Sequence, residues 1–222
     1  MLNLVTARVT RLLELRRPEL MTSRIIIGMS GASGAIYAIR LLEMLRTLQV
    51  STHLIMSKSA ELTVAYETDW KITDVKGLAD SWYPIEDLGA APASGSFRTM
   101  GMIIAPCSVR TVAELATGIT GNLLTRAADV VLKEQHKLVL MVRETPLHLV
   151  HLRNLSTLSE LGAIIAPPVP AFYARPKSID DMIDHTLGRV LDSFGLDCGT
   201  VRRWGEDVGK ETVIRSRRRV RP

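Results

Sequence analysis

The chain has 222 residues, 46% hydrophobic and 23% charged; these are globular values, which exclude disorder as a class and make one domain the default. Its formal net charge of +5 sits at its ends, with +2 on residues 1–23 and +5 on residues 208–222, leaving −2 on 24–207 and no basic face for nucleic acid. No apolar run is long enough for a membrane span, and two cysteines, Cys107 and Cys198, exclude a disulfide framework and suit a reducing cytosol.

Residues 1–23 read as an extension ahead of the folded unit. Leu4, Leu12, Leu13 and Leu15 with Arg8, Arg11, Arg16 and Arg17 make a weakly amphipathic pattern. Organellar targeting is the disfavoured alternative, because Glu14 and Glu19 do not suit a presequence. The body 24–207 follows, expected in the cytoplasm. The Arg-rich end over 208–222 reads as a solvated tail, the alternative being contact with phosphates or acidic lipid headgroups.

Within the body, short β-branched runs alternate with amphipathic stretches. The first strand is predicted over Ile25–Met29, ended by Ser30-Gly31-Ala32-Ser33-Gly34, and a helix over Ala35–Leu48 follows. The second strand, His53–Met56, ends at Ser57-Lys58-Ser59, with a helix through Leu62–Tyr66 that stops near Glu67. Residues 70–100 read as irregular, with one short helix near Val75–Ala79. The third strand, Met102–Ala105, ends at Pro106-Cys107-Ser108 and leads to helices over 109–116 and 122–134. The fourth, Leu138–Val142, ends at Arg143-Glu144-Thr145-Pro146, and a helix over 148–161 follows. The fifth is Ala163–Ala166, cut off by Pro167-Pro168, and Ser178 with Asp181 starts a last helix to Phe194. This alternation predicts an α/β fold: one three-layer, doubly wound, Rossmann- or flavodoxin-like domain on a mostly parallel sheet.

Ligands of such sheets sit beyond the carboxyl ends of the strands. Three of the first four ends carry hydroxyls at helix starts, namely Ser33, Ser57, and Ser108 with Thr111; the fourth carries Arg143 and Glu144. Each hydroxyl alone reads as a helix cap; together they point to a phosphate held by hydroxyls, backbone N–H groups and helix dipoles. Gly28, Gly31 and Gly34 do not form the dinucleotide fingerprint, and Ser57 stands where an acid would hold a ribose, which favours a mononucleotide such as FMN over NAD. Arg126, Asp129 and Lys133 share one helix face, either as a solvated stripe or, with Arg143, as a second phosphate site. His148 and His151 lack a third metal ligand and read as surface histidines, and Cys107 as a small buried side chain.

Gly31-Ala32-Ser33-Gly34, Glu67-Thr68, Ala93-Ser94-Gly95-Ser96, Pro106-Cys107-Ser108, Arg126–Glu134, Arg143–Leu147 and Phe172-Tyr173 stand in the order and spacing of one family. Over about 24–207 the chain resembles the UbiX-type flavin prenyltransferases, a family that includes the phenylacrylic-acid decarboxylase partner proteins. The resemblance implies a metal-independent transferase that moves a dimethylallyl group from dimethylallyl phosphate to N5 and C6 of reduced FMN. The product is prenylated FMN, cofactor of UbiD-type decarboxylases in ubiquinone synthesis or aromatic-acid breakdown. It implies a homododecamer with sites shared between subunits. By resemblance, Gly31, Ala32, Ser33, Ser57, Ser108, Val109, Arg110, Thr111 and Arg143 hold FMN, while Arg126, Lys133, Tyr173 and Arg189 hold the donor phosphate. Ser33, Glu67, Lys133 and Glu144 match the catalytic positions, Ser33 near the flavin N5 and the two acids in proton handling. Two alternatives share the fold: an FMN-dependent decarboxylase of the same superfamily, and a protein that carries FMN to a partner without chemistry.

Overall fold

A computed structural model describes residues 23–209; residues 1–22 of the N-terminal extension and the basic tail from Lys210 lie outside the described residues. The chain divides into two compact units, one through Pro167 and one from Pro168. The first contains β1 (Arg24–Met29), α1 (Ala35–Thr47), β2 (Ser51–Met56), α2 (Lys58–Glu67), α3 (Ile72–Leu78) and β3 (Ser81–Tyr83). It continues with a 3-10 turn at Ala91–Ala93, β4 (Gly101–Cys107), α4 (Val109–Ala116), α5 (Leu123–Lys133), β5 (Lys137–Val142), α6 (Leu149–Glu160) and β6 (Ile164–Ile165). The second contains a 3-10 turn at Phe172–Ala174 and α7 (Ile179–Asp192).

The six strands are all parallel, in the order β3-β2-β1-β4-β5-β6. The central strands are buried along nearly their whole length, which is why they read as unbroken apolar runs and not as alternating ones. β2 and β3 are added on one side of β1 and β4 to β6 on the other, so right-handed crossovers put α1–α3 on one face and α4–α6 on the other. The order therefore reverses between β1 and β4, and a crevice opens there beyond the carboxyl ends. The expected α/β flavodoxin-like architecture is the one observed.

Several boundaries differ from expectation, each for a local reason. Ser57 accepts the Ala60 N–H at 3.1 Å and so starts α2 at Lys58, well before the apolar stretch from Leu62. β3 lies within a segment expected to be irregular. It is a three-residue edge strand, too short to show a hydrophobic period, and its register follows from pairing His53 with Ser81. Asp80 fixes that register, its Oδ2 accepting the Thr52 N–H at 2.7 Å. β6 is cut to two residues.

The face of α5 expected to be apolar does bury Leu124, Ala128 and Val131, while Leu132 is partly buried; Arg126 and Asp129 lie half-exposed and Lys133 exposed. Burying each large aliphatic side chain there contributes roughly 1.5–3 kcal/mol. Cys107 is fully buried at the end of β4, and burial pushes its thiol well above the ordinary range.

Candidate functional site

The crevice is assembled from loop hydroxyls. Ser30, immediately after β1, is buried; its Oγ accepts the Ser108 N–H at 2.7 Å and donates to the Pro106 carbonyl at 3.0 Å. This one side chain ties the ends of β1 and β4 together across the switch point. Ser108 Oγ accepts the Thr111 N–H at 3.3 Å and lies 3.1 Å from Thr111 Oγ1. Ser57 Oγ is 3.2 Å from Ser59 Oγ. Any side chain at Gly31 would collide with Ser59, so only glycine lets the β1 loop lie on the first turn of α2.

These groups ring a cleft of about 240 Å³ lined by Ser30, Gly31, Ser57, Ser59, Ser108 and Thr111, among others. The N-termini of α2, α4 and α5 converge on it, α5 through Asn122 and Thr125. The first turns of α2 and α4 carry N–H groups without intrahelical acceptors, including those of Val109 and Arg110, so the cleft has the donors and the dipole sign for a phosphate. Arg110 stands at its rim, where its Nε donates to Glu114 at 2.9 Å.

The N-terminus of α1 is arranged differently. Glu67, from the far end of α2, places Oε2 where it accepts the N–H groups of Gly34 at 2.8 Å and Ala35 at 3.0 Å. The Ser33 hydroxyl donates to the same carboxylate. Burial alone would raise the Glu67 carboxyl, but these three hydrogen bonds and the Arg143 charge together hold it below its ordinary value. Glu67 is therefore ionised at neutral pH, and α1 has its anion already. The N–H groups open to a further anion are therefore those of α2 and α4 and not those of α1. Arg143 also acts on Tyr37 of α1, whose hydroxyl burial shifts upward and Arg143 pulls back. Glu144 is exposed; its Oε1 accepts the Thr145 N–H at 3.0 Å, and it makes no ion pair among the described residues.

The structure thus brings Gly31, Ala32, Ser33, Ser57, Glu67, Ser108, Val109, Arg110, Thr111, Arg143 and Glu144 to one edge of the sheet. It does not bring Lys133 there. α5 starts at the cleft and runs back antiparallel to the strands, about 16 Å for eleven residues. Lys133 ends it, paired with Glu134, beside a separate cavity of about 270 Å³ with Leu115, Ile119 and Leu161. Arg126 lies between, held by Asp129 at 3.0 Å.

In the second unit, Tyr173 stands edge-on to His185, ring centroids 5.7 Å apart, and Arg189 follows His185 one turn along α7. His148 and His151 stack at 3.5 Å, and no group of three or more His, Cys, Asp or Glu fit for a metal ion occurs among the described residues.

Ser30 and Ser59 are among the cleft residues that the sequence reading missed. Both stand in the stretches that end β1 and β2 and look like further loop serines. Nothing short of the chain path reveals that Ser30 meets Ser108 and that both serines line one cleft with Ser57.

Fold and site together define a flavodoxin-like α/β domain with helix N-termini gathered at its switch point. Residues 15–191 match the family model described as Flavoprotein. The flavin prenyltransferase UbiX of Thauera aromatica is 58% identical over 188 residues, spanning 85% of this chain and 97% of that protein. The crystal structure of AnUbiX (PadA1) in complex with FMN and dimethylallyl pyrophosphate superposes with a TM-score of 0.81 at 50% identity, covering 82% of this chain and 97% of that one. A dodecameric FMN-dependent UbiX-like decarboxylase from Escherichia coli O157:H7 gives 0.80 at 48% identity, covering 82% and 98%. The chain belongs to the UbiX-type flavin prenyltransferase family.

Proposed function

We propose that the chain transfers the dimethylallyl group of dimethylallyl phosphate to N5 and C6 of reduced FMN, making prenylated FMN for a UbiD-type decarboxylase. The observation that carries this reading is the division of labour among helix N-termini. Those of α2 and α4 offer a phosphate-sized set of donors, while that of α1 is closed by Glu67. Such a set fits the FMN phosphate, with Ser57, Ser108, Val109, Arg110 and Thr111 as its ligands. Gly31, Ala32 and Ser33 then wall the flavin, and Arg143 supports it.

Reduced FMN supplies the nucleophilic centres of the reaction. The chain supplies charge and protons. Breaking the allylic carbon–oxygen bond leaves phosphate, whose charge Arg126, Lys133, Arg143, Arg189 and the Tyr173 hydroxyl balance, and to which Glu144 delivers a proton. Ionised Glu67 accepts a proton through the Ser33 hydroxyl, to which it is hydrogen-bonded.

Lys133 lies at the far end of α5 from the cleft of its own chain, so a neighbouring copy contributes it. A dodecamer like that of the Escherichia coli relative meets this need. No described helix is long and apolar enough to cross a membrane, and the cytoplasm is the proposed location. The test is phosphate release from dimethylallyl phosphate under anaerobic conditions. Release should require reduced FMN in equal amount; release without flavin, or none with it, contradicts the proposal.

A further inference from the structure

Asp192, the last residue of α7, is shared by two arginines. Arg203 grips it as a fork, Nη1 donating to Oδ2 at 3.0 Å and Nη2 to Oδ1 at 2.9 Å. Arg189, one turn earlier, donates through Nη1 to Oδ2 at 2.6 Å. The three groups differ in exposure: the side chain of Asp192 is 19% exposed, that of Arg203 34% and that of Arg189 56%. Arg203 is spent on a bidentate pair, whereas Arg189 gives one donor and keeps the others toward solvent.

Arg203 reaches Asp192 because the segment after α7 is laid along that helix. Thr200 Oγ1 donates to the Asp184 carbonyl at 2.9 Å, and a side chain at Gly188 would collide with Val201 and Thr200. Asp184, Gly188 and Asp192 are spaced i, i+4, i+8 on one face of α7. That is about 12 Å of helix, and the extended chain from Thr200 to Arg203 covers about 10 Å. The two spans match, so the register is fixed. The next residue, Trp204, stands edge-on to Tyr173 at 5.7 Å. This stretch thus gathers Tyr173, Arg189, Arg203 and Trp204, with Asp192 as the acid that Arg189 and Arg203 share.

We infer that Asp192 is a positioning residue for Arg189: Arg203 anchors the carboxylate, and the carboxylate holds Arg189 extended with its remaining donors ready for the donor phosphate. This rests on the functional reading above, in which Arg189 binds that phosphate. Asp192 takes a single donor of Arg189, so an incoming phosphate can take the others without breaking the Arg203 fork. The anchoring charge also keeps the carboxyl ionised, since the Arg203 hydrogen bonds hold it below its ordinary value.

The experiment is a double-mutant cycle of Asp192→Asn and Arg189→Ala in the full chain, read as KM for dimethylallyl phosphate, kcat and FMN affinity. Asp192→Asn should raise KM about tenfold, the loss of one charged hydrogen bond, and leave kcat within about threefold and FMN affinity unchanged. In the Arg189→Ala background the same change should have no further effect on KM. Additive effects, or an unchanged KM with only a lower melting temperature, overturn the inference. Arg203→Lys keeps the charge, loses the fork and provides the same readout if Asp192→Asn does not fold; here too KM must rise in the parent and not beside Arg189→Ala. A parent chain that makes no prenylated flavin overturns the functional reading and this inference with it, whereas an active parent with additive variants overturns the inference alone.

Discussion

Two side chains at the sheet edge separate binding from chemistry. Thr111 is buried, with its hydroxyl 3.1 Å from Ser108 Oγ inside the cleft. Thr111→Val keeps the shape and removes one donor to phosphate, at a cost of roughly 1.5–3 kcal/mol, or about ten- to a hundredfold in FMN affinity. Flavin titration checks this, and an unchanged dissociation constant moves the phosphate elsewhere. Glu144 has the opposite profile. It is exposed and makes no described ion pair, so it stabilises little and can be changed without unfolding the chain. Glu144→Gln should retain FMN and slow prenylated-flavin formation at least about a hundredfold in single turnover. A rate within a few-fold of the parent would leave Glu67 as the principal acid. At this scale the sequence was readable where a residue acts on its near neighbours, as Ser57 and Ser108 do in capping their helices. Glu67 was legible only through the family resemblance, because its two backbone partners lie 32 and 33 residues away.

Among elements, the long helices and central strands announce themselves by period, and the edges do not. β3 was hidden because three residues at a sheet edge carry no pattern; what places it is Asp80 and a pair of aromatic contacts. His53 of β2 is buried, lies 2.8 Å from the Tyr83 hydroxyl through Nδ1, and meets the Phe97 ring edge-on at 5.0 Å. Burial, then the Arg24 charge, lowers its tendency to protonate, with Asp80 opposing. Below the ordinary histidine value of about 6.5 the unfolded chain binds more protons than the folded one, so stability falls with pH through that window and is flat above it. The melting temperature should drop by a few degrees between pH 7 and pH 5. His53→Asn should melt lower at pH 7 but lose less over the same range; an equal slope in both chains assigns the dependence to other groups.

For the whole molecule, helical period told which face of α5 carries Arg126 and Lys133 but not which end of the sheet each reaches. Direction comes from topology: β4 and β5 are parallel, so α5 must return toward their starts. On the proposed function, Lys133 then serves a site on another copy. Ser33→Ala and Lys133→Ala should each abolish most activity, and mixed oligomers of the two should regain about a quarter of the parent sites if each site takes one lysine from one neighbour. Mixed oligomers that form without any recovery contradict a shared site.

On the proposed function this chain prenylates flavin itself, without a second protein. The decisive measurement is the mass of the flavin extracted after anaerobic incubation of the full chain with reduced FMN and dimethylallyl phosphate. The flavin should gain one prenyl unit, and the gain should depend on both substrates and on Glu144. Flavin recovered at its original mass, from protein that binds FMN, would contradict it and leave a carrier or a decarboxylase in its place.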